Sequence, residues 1–366
     1  AALAGKLRAE LKERVGAADA DALLSNVSSE GELLASMGPL VGLAKVARGE
    51  MSREDYYARW GHRGPLETET SEPRPFEDPG WLDEQLAVFA RSSVDVEAQL
   101  AAQRAAFDVA RQGLAARYPG KAKSLGRRLA QAAEAARMRE AVRSEFARQV
   151  WVGRVWALRA GELSGLGEDV FFLTWPELLD VLAGDERLLP TLPARRETYE
   201  AYKRLPPYPL LIRGRFDPLE WAADPERRTD VYDAGGLLQS LTLQAPEENV
   251  LLGMPGSAGQ VEGVVRRLDR PEEGEALQPA EILVTAQTNI GWTLFFPRAA
   301  AIITDVGAPF SHAAIVAREL GIPAVVNCSD ATGRLRTGDR VRVDGSQGVV
   351  EILERAKSDQ PPGGCG

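Results

Sequence analysis

Thr304-Asp305-Val306-Gly307-Ala308-Pro309-Phe310-Ser311-His312-Ala313-Ala314-Ile315-Val316-Ala317-Arg318-Glu319-Leu320-Gly321-Ile322-Pro323 is the stretch on which the reading of this chain turns. It reads as the end of a strand, a loop containing Gly and Pro, and a helix that starts just after Ser311-His312. Ser311 has the residue type of an N-cap, and Gly321 followed by Pro323 supplies a stop signal. His312 is then placed at the positive end of a short helix, where free N–H groups and the macrodipole favour an anion, such as a phosphoryl group on the imidazole. The same field disfavours the imidazolium, so a neutral, nucleophilic imidazole at an exposed helix start is expected near pH 7. Taken alone, a His at a helix start is more often a capping or surface residue.

Around this stretch the texture is Val/Ile/Gly-rich with short periods from about residue 251 onward. Residues 263–268, 281–286, 300–305, 324–327, 340–344 and 349–353 read as strands, interrupted by short helices near 291–296 and 313–320. The expected unit is a compact α/β domain over 251–356. Upstream, 1–204 is helical by pattern. Helices are expected over 31–49, 93–116 and 127–152, packed as a bundle. In the last of these Ala135, Met138, Val142, Phe146 and Val150 form a three- and four-residue stripe that should face a core. Arg137, Arg139 and Arg143 read as a solvated helix side rather than an anion-binding face. Between Trp60 and Trp81, Pro65, Pro73, Pro75 and Pro79 preclude a continuous helix, and a long charged segment of that kind inside a bundle is often functional. Residues 205–250 read as a Pro-rich linker and hinge, with 357–366 as a disordered tail.

The 366 residues carry 44 Lys+Arg against 53 Asp+Glu, two His and two Cys. A net charge of −9 offers no basic surplus for phosphate backbones, so no nucleic-acid partner is expected. No apolar run approaches the roughly 20 residues of a membrane span. Two Cys make neither a disulfide framework nor a four-ligand zinc site, which leaves a reducing cytosol as the expected compartment and no metal site of the chain's own. Cys328 reads as a small buried residue and Cys365 as part of the tail. The start at Ala1 without Met reads like a piece of a longer polypeptide.

The stretch quoted first resembles the phosphohistidine site of the phosphoenolpyruvate-utilising enzymes, whose signature runs roughly Thr-Asp-x-Gly-Gly-x-x-Ser-His-x-Ala-Ile-x-Ala-Arg-Glu-x-Gly-Ile-Pro. Ser257-Ala258-Gly259 with Gly263, Thr288-Asn289-Ile290-Gly291-Trp292, and Gly338-Asp339-Arg340-Val341-Arg342-Val343-Asp344-Gly345 extend the match across about 250–353. Ala308 replaces the second Gly, and Phe310 stands where pyruvate phosphate dikinases have Thr. Tyr57-Ala58-Arg59-Trp60-Gly61-His62-Arg63-Gly64-Pro65-Leu66-Glu67, Pro73-Arg74-Pro75-Phe76-Glu77-Asp78-Pro79 and Gly167-Glu168-Asp169-Val170-Phe171-Phe172-Leu173-Thr174 are similar to segments of rifampicin phosphotransferases.

The resemblance implies a helical substrate-binding domain followed by a swivelling β/β/α domain. In it His312 carries phosphoryl, supported by Thr304, Gly307, Ser311 and Arg318. Arg318 would steady the phosphorylated ring or brace the domain. It also implies ATP and Mg²⁺, bound by an upstream or separate ATP-grasp domain, and a small-molecule hydroxyl as acceptor, with AMP and inorganic phosphate as by-products. His62, Arg63 and Glu67 would contact substrate or phosphate; as residues alone they read equally as a hydrogen-bonded loop holding two helices together. A phosphoenolpyruvate synthase-like enzyme or natural-product ligase using the same His is the nearer alternative, and a non-catalytic phosphocarrier the more distant one. A swivelling carrier should share only modest apolar contact with the helical part, whereas one continuous core would favour a fixed site.

Overall fold

The computed structural model describes residues 2–25, 34–91, 95–206, 208–209, 211–225, 227–228, 231–236, 249–328 and 330–356. The first part is helical: α1 (Ala2–Val15), α2 (Ala17–Leu24), α3 (Gly38–Ala47), α4 (Arg53–Trp60), α5 (Trp81–Arg91), α6 (Val96–Arg117), α7 (Pro119–Ser164), α8 (Trp175–Leu182) and α9 (Leu192–Lys203). Helix α7 runs 46 residues, past both ends of the stretch expected from the sequence. Pro119 falls in its first turn, where a missing N–H costs nothing, and Gly165 in the left-handed conformation ends it. Helix α3 begins only at Gly38 with Pro39 behind it, later than the expected start at 31. Leu34 and Met37 just before it are nevertheless core residues.

One apolar core joins α1, α2, α6 and α7 through Leu7, Leu11, Leu23, Phe107, Leu114 and Leu125. The stripe expected to face a core on α7 does the opposite. Met138, Val142 and Phe146 are 63%, 63% and 57% exposed. The buried face is set by Glu140, Ala147, Arg154 and Ala157, because polar contacts with the 61–79 segment decide which side of the helix turns inward.

The expected linker contains structure of its own: β1 (Leu211–Arg213) and β2 (Val231–Asp233) pair in parallel, with α10 (Pro218–Ala223) between them. Phe216, Trp221, Tyr208 and Tyr232 stack edgewise around that pair, an aromatic cluster sufficient to order a short unit. The hinge candidate at 233–236 is a turn with Gly236 at φ 69°. The other hinge candidate, Ala245-Pro246, and the expected tail 357–366 with Cys365 lie outside the described residues.

The last part is a mixed sheet of β3 (Val250–Leu252), β4 (Met254–Ser257), β5 (Gln260–Arg267), β6 (Ile282–Thr285), β7 (Ala301–Thr304), β8 (Ala324–Val326), β9 (Arg340–Asp344) and β10 (Val349–Glu354) in the order β3-β10-β9-β5-β6-β7-β8-β4. The steps β5–β6–β7–β8 are parallel and the others antiparallel. Every residue of β6, β7 and β8 is buried, as continuous apolar runs covered on both faces require. One face is sealed by α12 (Ala331–Arg334) and Leu335; the other by α11 (His312–Leu320).

All nine residues of α11 are buried. Its apolar side chains leave no polar side for solvent, so the surface turned away from the sheet must be covered by another element. Helix α6 does this. Leu40, Val88, Val96 and Leu100 of the helical part form one cluster with Leu277, Phe295, Phe296 and Val316 of the sheet domain. The modest apolar contact expected between the two parts is therefore not what the structure has: a single core crosses the boundary, the outcome expected of a fixed site rather than of a loosely docked swivelling domain.

Candidate active site

His312 opens α11 at the C-terminal end of β7, behind the loop 305–311. Ser311 occupies the N-cap position by its backbone (φ −70°, ψ 166°), but its hydroxyl makes no capping bond and has no hydrogen-bond partner. The side-chain cap expected from the sequence is absent. Gly307 explains the packing there: a Cβ at that position would lie 3.0 Å from Ser311 Oγ, 3.4 Å from Thr304 Oγ1 and 2.9 Å from Val326 Cβ. Thr304, Gly307 and Ser311 are thus brought together beneath the histidine. Gly321 closes the helix in the left-handed conformation, as its sequence position implied.

The imidazole is not at an exposed helix start. His312 is 5% exposed, its Nε2 lies 3.2 Å from Thr293 Oγ1, and the backbone of Asn289 hydrogen-bonds to the ring. Burial lowers its pKa to about 3, aided by the positive charges of Arg143, Arg63 and Arg139. The expected neutral imidazole is present, held so mainly by burial and by three guanidinium groups of the helical part.

Those guanidinium groups belong to a cleft built by the 61–79 segment and α7. Arg63 and Glu67 form a buried pair at 2.5 Å, and Arg143 Nε donates to the other oxygen of Glu67 at 3.2 Å. Arg139 Nη1 donates to the carbonyl of Phe310, two residues before His312, at 2.5 Å. Arg139 and Arg143 are therefore not a purely solvated helix side. Two buried arginines fix the segment by its carbonyls: Arg74 donates to Leu66 O and Glu69 O, Arg154 to Thr70 O and Ser71 O. His62 sits 2.9 Å from Ser144 Oγ on α7, and burial with nearby Arg148, Arg63 and Arg74 lowers it to about 4. His62 thus braces the segment against α7, while Arg63 and Glu67 face the histidine side. Close approach of the two parts is enforced at Gly291, where a Cβ would fall within 3.0 Å of Pro65.

Arg318 lies fully within the interface. Its Nη1 donates to Gly256 O at 2.5 Å and Pro309 O at 2.7 Å, so it braces the histidine loop rather than touching the ring. Cys328 is buried, and burial pushes its thiol up to about 12.

One group at the site, Thr293, escaped the sequence reading, as did the burial of Glu140 on α7 next to Arg139. Thr293 stands one residue beyond Thr288–Trp292, and its proximity to the ring follows from the fold of the 290–294 turn alone. Glu140 is 1% exposed with neither carboxylate oxygen hydrogen-bonded, its nearest cation being Arg139 Nε at 3.9 Å. Among the described residues no group of three or more His, Cys, Asp or Glu could hold a metal ion.

Residues 277–348 match the family model described as "PEP-utilising enzyme, mobile domain". Rifampicin phosphotransferase of Streptomyces sviceus is 37% identical over 189 residues, 51% of this chain and 19% of that protein. The rifampicin phosphotransferase of Bacillus cereus is 34% identical over 186 residues, again 51% of this chain and 19% of that protein. The prodigiosin synthesizing transferase PigC of Serratia marcescens is 29% identical over 315 residues, 82% of this chain and 33% of that protein. The chain thus spans a third or less of the length of these relatives. Residues 277–348 thus match the mobile domain of the phosphoenolpyruvate-utilising enzymes, and over half of its length the chain is similar to rifampicin phosphotransferases.

Proposed function

We propose that this chain is the acceptor-side part of a phosphotransferase in which His312 carries a phosphoryl group to a hydroxyl of a small molecule. The observation that carries this reading is the buried imidazole of His312, which lies within the field of Arg63, Arg139 and Arg143, with Arg139 hydrogen-bonded to the carbonyl of Phe310 in the histidine loop. Three guanidinium charges that disfavour an imidazolium favour an anionic phosphoryl group on the same ring. In the resting site Glu67 pairs with Arg63 and Arg143. A phosphoryl group on Nε2 becomes a competing anion for both. During transfer the acceptor oxygen attacks phosphorus, the P–N bond breaks toward the imidazole, and the hydroxyl proton passes to a carboxylate; Glu140, which neighbours Arg139 on α7 and whose oxygens have no hydrogen-bond partner, is the residue assigned to take it. The exposed apolar residues Met138, Val142 and Phe146, which flank Arg139 and Arg143 on α7, would hold the acceptor's apolar body.

The phosphoryl donor in this reading is ATP, bound with magnesium by a separate or upstream ATP-grasp domain. A natural-product enzyme that activates a carboxylate through the same histidine is the second reading; the similarity to a prodigiosin synthesizing transferase across 82% of the chain keeps a natural-product acceptor in view without deciding its chemistry. Incubation with ATP, phosphoenolpyruvate or phosphoramidate, followed by mapping of acid-labile phosphate, tests the carrier. Label is expected on His312 and none on the His312→Ala variant; label retained in that variant refutes the proposal. Transfer to a hydroxyl rather than a carboxylate compound separates the two acceptor readings, and label that no acceptor discharges identifies a non-catalytic carrier.

A further inference from the structure

Helices α1 and α2 hold the sheet domain by charged side chains placed on backbone atoms. Asp21 is buried and accepts from Arg8 Nε at 2.7 Å and Arg8 Nη2 at 2.8 Å. The same carboxylate accepts the backbone N–H of Ala258 at 2.7 Å. The remaining arm of Arg8, Nη1, donates to Pro255 O at 2.6 Å. One turn further along α1, Lys12 Nζ donates to Ser346 O at 2.9 Å. The gripped segment 255–258 is held from its inner side by Arg318, through Gly256 O, and Arg318 also holds Pro309 O in the loop that leads to His312. Gly256 admits no larger residue, since a Cβ would meet Ala324 O at 2.9 Å.

We propose that the α1–α2 hairpin is a clasp that recognises the docked sheet domain through Asp21, Arg8 and Lys12 and sets how long His312 dwells in the arginine cleft. Every hydrogen bond the three make on the sheet domain is to a main-chain atom. The clasp therefore reads the backbone position of the end of β4 and of the 345–348 turn. On release its three charged groups pass into water, where Asp21 and Arg8 keep each other as partners, so opening leaves no buried charge unpaired. The wiring through Arg318 ties the grip to the histidine loop: moving segment 255–258 pulls on the carbonyl that shares Arg318 with Pro309. The proposal rests on the carrier reading, because a dwell time has meaning only if His312 leaves the cleft.

Carbethoxylation of the two imidazoles by diethylpyrocarbonate, followed by peptide mass spectrometry at pH 7, tests it. The chain has only His62 and His312. His312 reacts only when the sheet domain releases it, and His62, which lies within the helical part against Ser144, reports on the integrity of that part. Asp21→Ala and Arg8→Ala are expected to raise the reaction rate at His312 at least tenfold with His62 unchanged. Asp21→Asn, which keeps an acceptor for the Ala258 amide, is expected to raise it less. Unchanged His312 rates in both alanine variants overturn the clasp. If both histidines accelerate together, the hairpin has lost its packing in the α1–α2–α6 core, and the exposed Lys12→Ala, which removes only the contact to Ser346, decides by the same criterion. Phosphate incorporation into wild-type His312 is measured separately: a chain that never loads, yet releases His312 faster in the clasp variants, loses the carrier role and keeps the clasp.

Discussion

The pH dependence of stability follows from three buried groups and gives a direct check on the site. The imidazoles of His312 and His62 sit near 3 and 4 in the folded chain, against 6.5 ordinarily. Protons therefore bind the unfolded chain first. The stability these groups contribute is complete above about pH 6.5 and is lost as pH falls toward 3 to 4. At pH 5 the loss is about 2 kcal/mol for each, taking 1.36 kcal/mol per pH unit between the two protonation midpoints. Asp305 acts in the opposite sense. Burial raises its carboxyl from 3.8 to about 6, so the folded chain takes up that proton first and gains about 1.4 kcal/mol by pH 5. The half-buried carboxylates Glu177 and Asp185, held near 2 chiefly by Arg195 and Arg187, stay charged throughout this range. The net expectation is a loss of about 2.5 kcal/mol between pH 7.5 and pH 5, read by urea unfolding with tryptophan fluorescence. His312→Gln should shrink that loss to about 0.5 kcal/mol, because only His62 and Asp305 then titrate in the window. A variant that keeps the full wild-type loss would show that His312 is not buried as a neutral ring, and the account of the docked site would fail with it.

Two further perturbations address the geometry around the ring. Thr293→Val keeps the side-chain shape while removing the hydroxyl beside His312 Nε2, and the loss of one hydrogen bond, about 0.5–1.5 kcal/mol, should slow phosphate acceptance roughly three- to tenfold in rapid-quench labelling; an unchanged rate means that Thr293 does not orient the ring. Gly291→Ala places a methyl within 3.0 Å of Pro65, whose ring cannot turn aside, and should destabilise the chain by about 1–3 kcal/mol in the same urea assay; wild-type stability would refute the close packing of the 290–294 turn on the 61–67 segment.

The sheet domain was the legible part of the sequence because its local signals agree. Short apolar runs separated by turn residues gave β5 to β10 within a few residues, and Gly321 and Pro323 marked the end of α11. Helix α7 was legible as a helix but not in its orientation. Its apolar stripe pointed to one face as buried, while Arg154, Glu140 and Ser144 turn the opposite face inward. Periodicity reports a helix's apolar side; it does not report that a proline-rich segment of buried arginines competes for the other side. The same limit hid the cleft. Arg139 and Arg143 lie more than 160 residues before His312 and reach its surroundings only through tertiary packing. The position of His312 was legible from its motif, whereas its burial was not, since the groups around the ring come from the 289–296 turns, α7 and the 61–67 segment, which only tertiary packing brings together.

The apolar composition of α11 constrains any account in which His312 moves. Its nine residues are all buried here, with α6 covering the surface turned away from the sheet. Departure from this cleft uncovers that surface together with Val88, Val96 and Leu100 opposite it. Each such side chain costs about 1.5–3 kcal/mol when returned to water, so three of them already reach the scale of a whole domain's stability. The polar clasp and the hydrogen bond from Gln103 Nε2 to Arg318 O are replaceable by water; the apolar seam is not. A carrier built this way cannot wait free in solvent between stations. The donor-side station must therefore offer α11 an apolar surface comparable to α6, and exchange must proceed from one covered state to another. If instead the seam never parts, phosphoryl must reach His312 where it lies, and the donor domain must approach the arginine cleft through the exposed side of α7 that carries Met138, Val142 and Phe146. A disulfide across the seam, between α6 and α11, separates the two. Loss of labelling by the donor under oxidation, restored on reduction, requires movement, and labelling that survives the crosslink requires a fixed site.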